Sequence, residues 1–214
     1  MTLFRNRNDA GRQLGARLAA YAGRPDVIVL GLPRGGVPVA AEVGKVLGVA
    51  FDVFMVRKLG VPGHEELAMG AIAEGGISIL NQELIGSLSI PDSLVEQVTA
   101  REQLELARRA RTFRGERQPA LVAGRTVILI DDGLATGASM EAAILALRAQ
   151  EPARIVVAVP VGARETCDRL SHIADEVISV QMPESFYAVG AWYDDFSQMT
   201  DDEVVTHLAS PQER

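Results

Sequence analysis

The chain has 214 residues, 48% of them apolar, and a formal net charge of −7, which suits one α/β domain with a sizeable core or one domain with a small second lobe. No apolar run approaches the ~20 residues of a membrane span, residues 1–12 lack the apolar stretch of a secretory signal, and the acidic balance counts against nucleic-acid binding. Cys167 is the only cysteine, so no intrachain disulfide can form, a zinc site has a poor start, and a reducing cytoplasm is the expected home.

Residues 9–22 carry Leu14, Leu18 and Tyr21 at helical spacing, with Asp9 near the expected cap. Residues 27–30 (Val-Ile-Val-Leu) form an apolar run of strand length. A loop at 31–36 leads to a helix over 37–47 with Pro38 in its first turn. Residues 51–56 read as the next strand, ending in Arg57-Lys58. Residues 61–66 are turn-rich. Residues 68–73 and 77–80 suit a short antiparallel pair around Glu74-Gly75-Gly76. A long helix is expected over 91–113 with Leu94, Val98, Leu104 and Ala107 along one side. Strands at 125–130, 155–160 and 176–180 alternate with helices over 140–150 and 165–172. Nearly all-apolar strands alternating with helices indicate a parallel sheet covered on both faces. The arginines at 108, 109, 111, 114 and 117 form either an anion-binding patch or a solvated helix face interleaved with glutamates.

Open parallel sheets bind ligands beyond the carboxyl ends of their strands, and three loops here leave such ends. After Ile130 come Asp131 and Asp132, then Gly133-Leu134-Ala135-Thr136-Gly137-Ala138-Ser139 and a helical pattern. Carboxylates accept hydrogen bonds from sugar hydroxyls, and a tight turn into a helix N-terminus offers free backbone N–H groups and two hydroxyls to a phosphate. An ordinary turn with Ser139 as N-cap and two solvated aspartates would use the same residue types. After Leu30, Arg34-Gly35-Gly36 combines exposed backbone N–H groups with a guanidinium fork. It matches neither the dinucleotide fingerprint nor the Walker loop. Arg57-Lys58 places two cations where a polyanion would lie.

An aliphatic tetrad, two acids and x-Leu-Ala-Thr-Gly-x-Ser resemble the phosphoribosyl-pyrophosphate (PRPP) signature of the type I phosphoribosyltransferases. The resemblance covers about residues 26–60 and 124–182. It implies a Rossmann-like α/β fold, a central mainly parallel sheet flanked by helices, with a small, partly helical hood at 87–120 and 181–214 of a single 1–214 domain. It implies Asp131 and Asp132 on the ribose hydroxyls and near Mg²⁺, which they would hold mostly through substrate or water. The 133–139 loop would hold the 5′-phosphate, and Arg34, Gly35, Gly36, Arg57 and Lys58 the pyrophosphate, with Lys58 and the two aspartates as catalytic residues. His64, Glu65 and Glu66 fall where the family has a mobile closing loop and are candidate acids or bases. Gly133 departs from the family's usual aliphatic residue, and Ala135 follows the adenine-type pattern, so a purine-like nucleobase is the expected acceptor. Phe186, Tyr187 and Trp192 are candidates either for stacking on that base or for anchoring the hood. The chain looks nearest to bacterial phosphoribosyltransferases of undefined acceptor. No nucleic-acid or membrane partner is expected, and a homodimer through the long helix would follow family habit. A PRPP- or nucleotide-sensing regulator, or a hydrolase or phosphorylase of phosphoribosyl compounds, would need the same loops.

Overall fold

The structure, a computed structural model, describes residues 3–209 apart from the Glu66 side chain. Five strands, β1 (Val27–Gly31), β2 (Phe51–Val53), β6 (Thr126–Ile130), β7 (Arg154–Val161) and β8 (Glu176–Gln181), form a parallel sheet in the order β2-β1-β6-β7-β8. Side chains alternate between its faces. Val27, Val29, Ile128 and Ile130 join one core with α1 (Arg7–Arg17) and α2 (Gly36–Leu47). Ile28, Leu30, Val127 and Leu129 join another with α5 (Ala138–Arg148) and α6 (Arg164–Leu170). This is the helix-covered parallel sheet expected from the continuous apolar runs. Among the described residues no helix is long and apolar enough to cross a membrane.

Residues 51–61 depart from the expected single strand. β2 ends at Val53, and the chain leaves the main sheet to enter β3 (Val56–Val61), which pairs antiparallel with β4 (His64–Ala73), itself paired with β5 (Ile77–Leu80). The ladder stops because β1 ends at Gly31, whose carbonyl accepts its last bond from that side, from Phe54 N–H. Arg57-Lys58 therefore lies inside a second, three-stranded sheet and does not end a strand of the first. The expected 68–73/77–80 pair is present. The turn-rich 61–66 segment is the tip of the β3–β4 hairpin, a tight turn at Pro62-Gly63 with Gly63 at φ +80°.

Two helices follow, α3 (Gln82–Ser87) and α4 (Asp92–Arg114), of which the first is too short to show a helical period in the sequence. The buried residues of α4 are Val95, Val98, Glu102, Leu106, Phe113 and Arg114. Leu104, expected inside, is 76% exposed, and Ala107 is exposed too. Val98 is buried and Leu94 half-buried as expected, but two charged residues take inward positions further along, so counting apolar residues selects the wrong side there. The arginine cluster is correspondingly divided. Arg114 is buried against Asp52 and Glu74, Arg117 donates to carbonyls of Phe113 and Leu208, and Arg108 and Arg109 pair with Glu105. It is neither one patch nor one solvated face.

The last elements are a short 3₁₀ turn (Val189–Trp192) and α7 (Asp201–Ala209), which packs on α4 and α2. Residues 210–214, included in the expected hood, lie outside the described residues.

Candidate active site

The strand order reverses between β1 and β6, which is where an open α/β sheet offers its ligand crevice. The loops leaving these two strands touch. A Cβ built on Gly35 would overlap Asp132 Oδ2 and stand 2.5 Å from its Cγ, and one on Gly36 would stand 2.6 Å from the Ile130 carbonyl oxygen. Only glycine lets the backbone lie this close to the acidic pair. The Pro33–Arg34 peptide is cis.

Asp132 is gripped by parts of the chain that sequence reasoning did not connect to it. Arg7 donates from Nε at 2.9 Å and pairs through Nη2 at 2.8 Å with Oδ2. The same guanidinium lies 4.0 Å over the Phe196 ring and donates to the Ser197 carbonyl at 2.8 Å. Tyr193 donates its hydroxyl to the Asp132 carbonyl at 2.6 Å. Neither Arg7 nor Tyr193 carries a local signal, since their partner is 125 and 61 residues away. Asp131 Oδ1 accepts the Asp132 backbone N–H at 2.8 Å.

Burial pushes the Asp131 carboxyl well above the ordinary carboxylate range, and the Asp132 charge adds to the effect. Burial also raises Asp132, with Arg7 pulling the other way. A carboxyl whose folded-state pKa is raised favours the native state while protonated. That contribution is lost as pH rises from the ordinary carboxylate range through the raised value. Asp131→Asn is therefore expected to melt higher than the parent at pH 7–8, with the gap closing towards pH 4. Melting curves of both proteins across pH check this, and a variant that melts lower at pH 8 would refute it.

Residues 133–137 are tied to β7 and α6. Leu134 N–H donates to the Val161 carbonyl, Thr166 Oγ1 to the Ala135 carbonyl at 2.6 Å, and Arg169 to the Thr136 carbonyl. The N-cap of α5 is Gly137 at φ +73°, not Ser139, and no side chain caps it. The first-turn N–H groups are thus left without a side-chain acceptor, with the exposed Thr136 and Ser139 beside them, an arrangement suited to an anion. Gly133 lies under Val189, where a Cβ would meet Cγ1 at 2.5 Å.

A cavity of about 300 Å³ opens at this crevice. Pro33, Arg57, Lys58, Glu65, Asp131 and Ser139 line it, with Arg101, Glu102 and Arg109 of α4 opposite. Residues from all three expected loops thus share one space. Arg57 Nε donates to Glu102 Oε2 at 2.8 Å, and Arg34 lies 3.6 Å from Asp201. Of the hairpin-tip candidates, Glu65 reaches this cavity, and its carboxyl is held below the usual range by its own and the Gly63 backbone N–H. His64 is exposed at the tip, beside a second, more open hollow with Gly63, Glu65 and Leu67. The Glu66 side chain lies outside the described residues.

The aromatic candidates separate. Trp192 is 3% exposed in a core cluster with Phe4, Val161 and Tyr193. It is an anchor and not a stacking surface, because its ring is consumed by packing. Phe186 is half-buried against the same cluster, and Tyr187 is 92% exposed.

Among the described residues no group of three or more His, Cys, Asp or Glu side chains could cage a metal. Two adjacent, partly buried carboxylates, one of them paired with Arg7, fit an ion that brings most of its own ligands, as Mg²⁺ with a phosphorylated substrate does.

A family model described as a phosphoribosyl transferase domain matches residues 4–196. The Mycobacterium tuberculosis H37Rv protein named "Putative phosphoribosyl transferase Rv0571c" is 46% identical over 208 residues, which cover 97% of this chain and 47% of that one. The chain therefore spans about half the length of the curated relatives it matches. The crystal structure of TT1426 from Thermus thermophilus superposes with a TM-score of 0.88 at 45% identity, covering 97% of this chain and 98% of that one.

Proposed function

Because the chain belongs to the phosphoribosyl transferase domain family, we propose that it moves the 5-phosphoribosyl group of PRPP to a ring nitrogen of a purine-like nucleobase, releasing pyrophosphate. The observation that carries this reading is the meeting of the two switch-point loops. Gly35 and Gly36 pack against the acidic pair, and Asp131 lines one cavity with Ser139 in the first turn of α5, which no side chain caps. A sugar phosphate bearing a second anionic group has the matching sequence of charges.

In this reading Asp131 and Asp132 accept hydrogen bonds from the ribose hydroxyls, and residues 133–139 bind the 5′-phosphate through backbone N–H groups. Arg34, the Gly35-Gly36 amides, Arg57 and Lys58 bind the pyrophosphate. As the bond from the sugar to pyrophosphate loosens, negative charge grows on the leaving group and positive charge on the ribose. The cations stabilise the first and the aspartates the second. Glu65, ionised at the cavity edge, is placed to accept a proton from the incoming base. Mg²⁺, when bound beside Asp131 and Asp132, supplies further charge stabilisation to the pyrophosphate. Phe186 and Tyr187 are the remaining stacking candidates, in a hood made of residues 87–120 and 181–209. Ala135 favours an adenine-type acceptor.

The test is pyrophosphate release from PRPP with Mg²⁺, with no base and with each of adenine, guanine, hypoxanthine, xanthine, uracil and orotate. Release dependent on a purine supports the reading. Base-independent release indicates hydrolysis, and no release with any acceptor removes the transferase assignment. Asp132→Asn is expected to keep the fold and lower the rate by more than about tenfold (~1.4 kcal/mol). Unchanged turnover would remove Asp132 from the ribose site.

A further inference from the structure

The wall that α4 adds to the main cavity belongs to none of the motifs that identified the site. Glu102, at the middle of its inward face, is 8% exposed. A carboxylate this deep is tolerated only when paired, and its two oxygens accept from different chain segments: Oε2 from Arg57 of β3, Oε1 from Arg101 Nε at 3.1 Å. Two turns further along α4, Arg109 also lines the cavity and donates from Nε to Glu105 at 2.7 Å. Arg57 and Lys58 on the strand thus line one space together with Arg101 and Arg109 on the helix.

The distribution of charge along the chain gives this arrangement a reason. Between Lys58 and Arg101 there is no lysine or arginine at all, so the β3–β4 hairpin over the cavity brings only His64, Glu65 and Glu66 as titratable groups near its tip. If further positive charge is to meet a polyanion here, α4 is the element that supplies it.

We propose that α4 is a cationic wall of the PRPP pocket, with Arg101 and Arg109 binding pyrophosphate oxygens alongside Arg57 and Lys58. This rests on the phosphoribosyl reading and extends it to residues outside the family's loops. Glu105 holds the Arg109 guanidinium, which is 33% exposed, so less side-chain freedom remains to be lost there when the anion arrives. Arg101, 70% exposed, pairs with Glu102 from the cavity rim.

Arg108 provides a matched control. It donates from Nε and Nη2 to the same Glu105 at 2.8 and 2.9 Å, carries the same charge on the same helix and does not line the cavity. The experiment is calorimetric titration of the full chain with inorganic pyrophosphate and, separately, with PRPP and Mg²⁺. Parent, Arg101→Met, Arg109→Met and Arg108→Met proteins are compared, with melting curves to confirm equal folding. Arg101→Met and Arg109→Met are each expected to weaken both ligands about tenfold, and Arg108→Met by less than about twofold. Equal effects at Arg108 and Arg109 would reduce the wall to general electrostatics and overturn the proposal. A parent that binds pyrophosphate but not PRPP would overturn the phosphoribosyl reading, while the Arg109 and Arg108 comparison with pyrophosphate would still decide the role of α4. A parent that binds neither overturns both.

Discussion

Arg114→Ala is expected to lower the unfolding free energy by about 3–5 kcal/mol. The side chain is 4% exposed. Its Nη1 donates to Asp52 at 2.6 Å, Nη2 to the Val53 carbonyl at 2.8 Å and to Glu74 at 3.2 Å, and Nε to Glu74 at 3.2 Å. These partners lie in β2 and just after β4, so one guanidinium at the end of α4 joins the parallel sheet, the antiparallel sheet and the long helix. Its removal leaves two carboxylates in poor solvent with no counter-charge. Exposed ion pairs such as Arg24–Asp26 are worth far less, because water screens them already. Replacing the whole set (Arg114→Met, Asp52→Asn and Glu74→Gln together) should recover most of the loss, since no buried charge is then stranded. Denaturant unfolding of both variants checks this. A loss below about 1 kcal/mol in the single variant would show that the carboxylates find other partners.

Gly35→Ala is expected to reduce PRPP-dependent turnover at least about 100-fold (~2.7 kcal/mol) while the protein still folds. The backbone at Gly35 has φ −62° and ψ −32°, which alanine adopts without strain. The effect is therefore the new methyl group alone, which would occupy the place of the Asp132 carboxylate and push it from Arg7. Steady-state kinetics beside a melting curve make the test. Near-parental turnover would mean that Asp132 can move without consequence, and the close contact of the two loops would lose its functional meaning.

The parallel sheet was legible because residues 27–30, 127–130 and 155–159 are uninterrupted apolar runs, which only strands buried on both faces require. The acidic loop was legible because its residue types are unusual at the end of such a strand. The division of residues 51–61 between two sheets was not, because both halves are extended and largely apolar and only the end of β1 decides where the chain departs. The inward side of α4 was misread because Glu102 and Arg114, each with partners from elsewhere in the chain, occupy positions that periodicity assigns to apolar residues. Trp192 was open to either stacking or anchoring, and its burial with Phe4, Val161 and Tyr193 makes it an anchor. Arg7 was invisible: an arginine near the start of a helix has no local reason to meet an aspartate on a distant strand end.

The junction around Asp132 also bears on how the molecule comes into being. Phe4 N–H donates to the Trp192 carbonyl, Asp194 N–H to the Phe4 carbonyl and Asp195 N–H to the Arg5 carbonyl, so early and late segments are stitched together beside the acidic pair. A chain emerging from the ribosome exposes β1, β6 and β7 before residues 193–197 follow. Arg7, 190 residues before Ser197, must then wait for its Phe196 and Ser197 neighbours. The acidic pair gains its full set of contacts only once residues 193–197 are in place, so a chain that has assembled the sheet alone carries it without a finished place for its ligand.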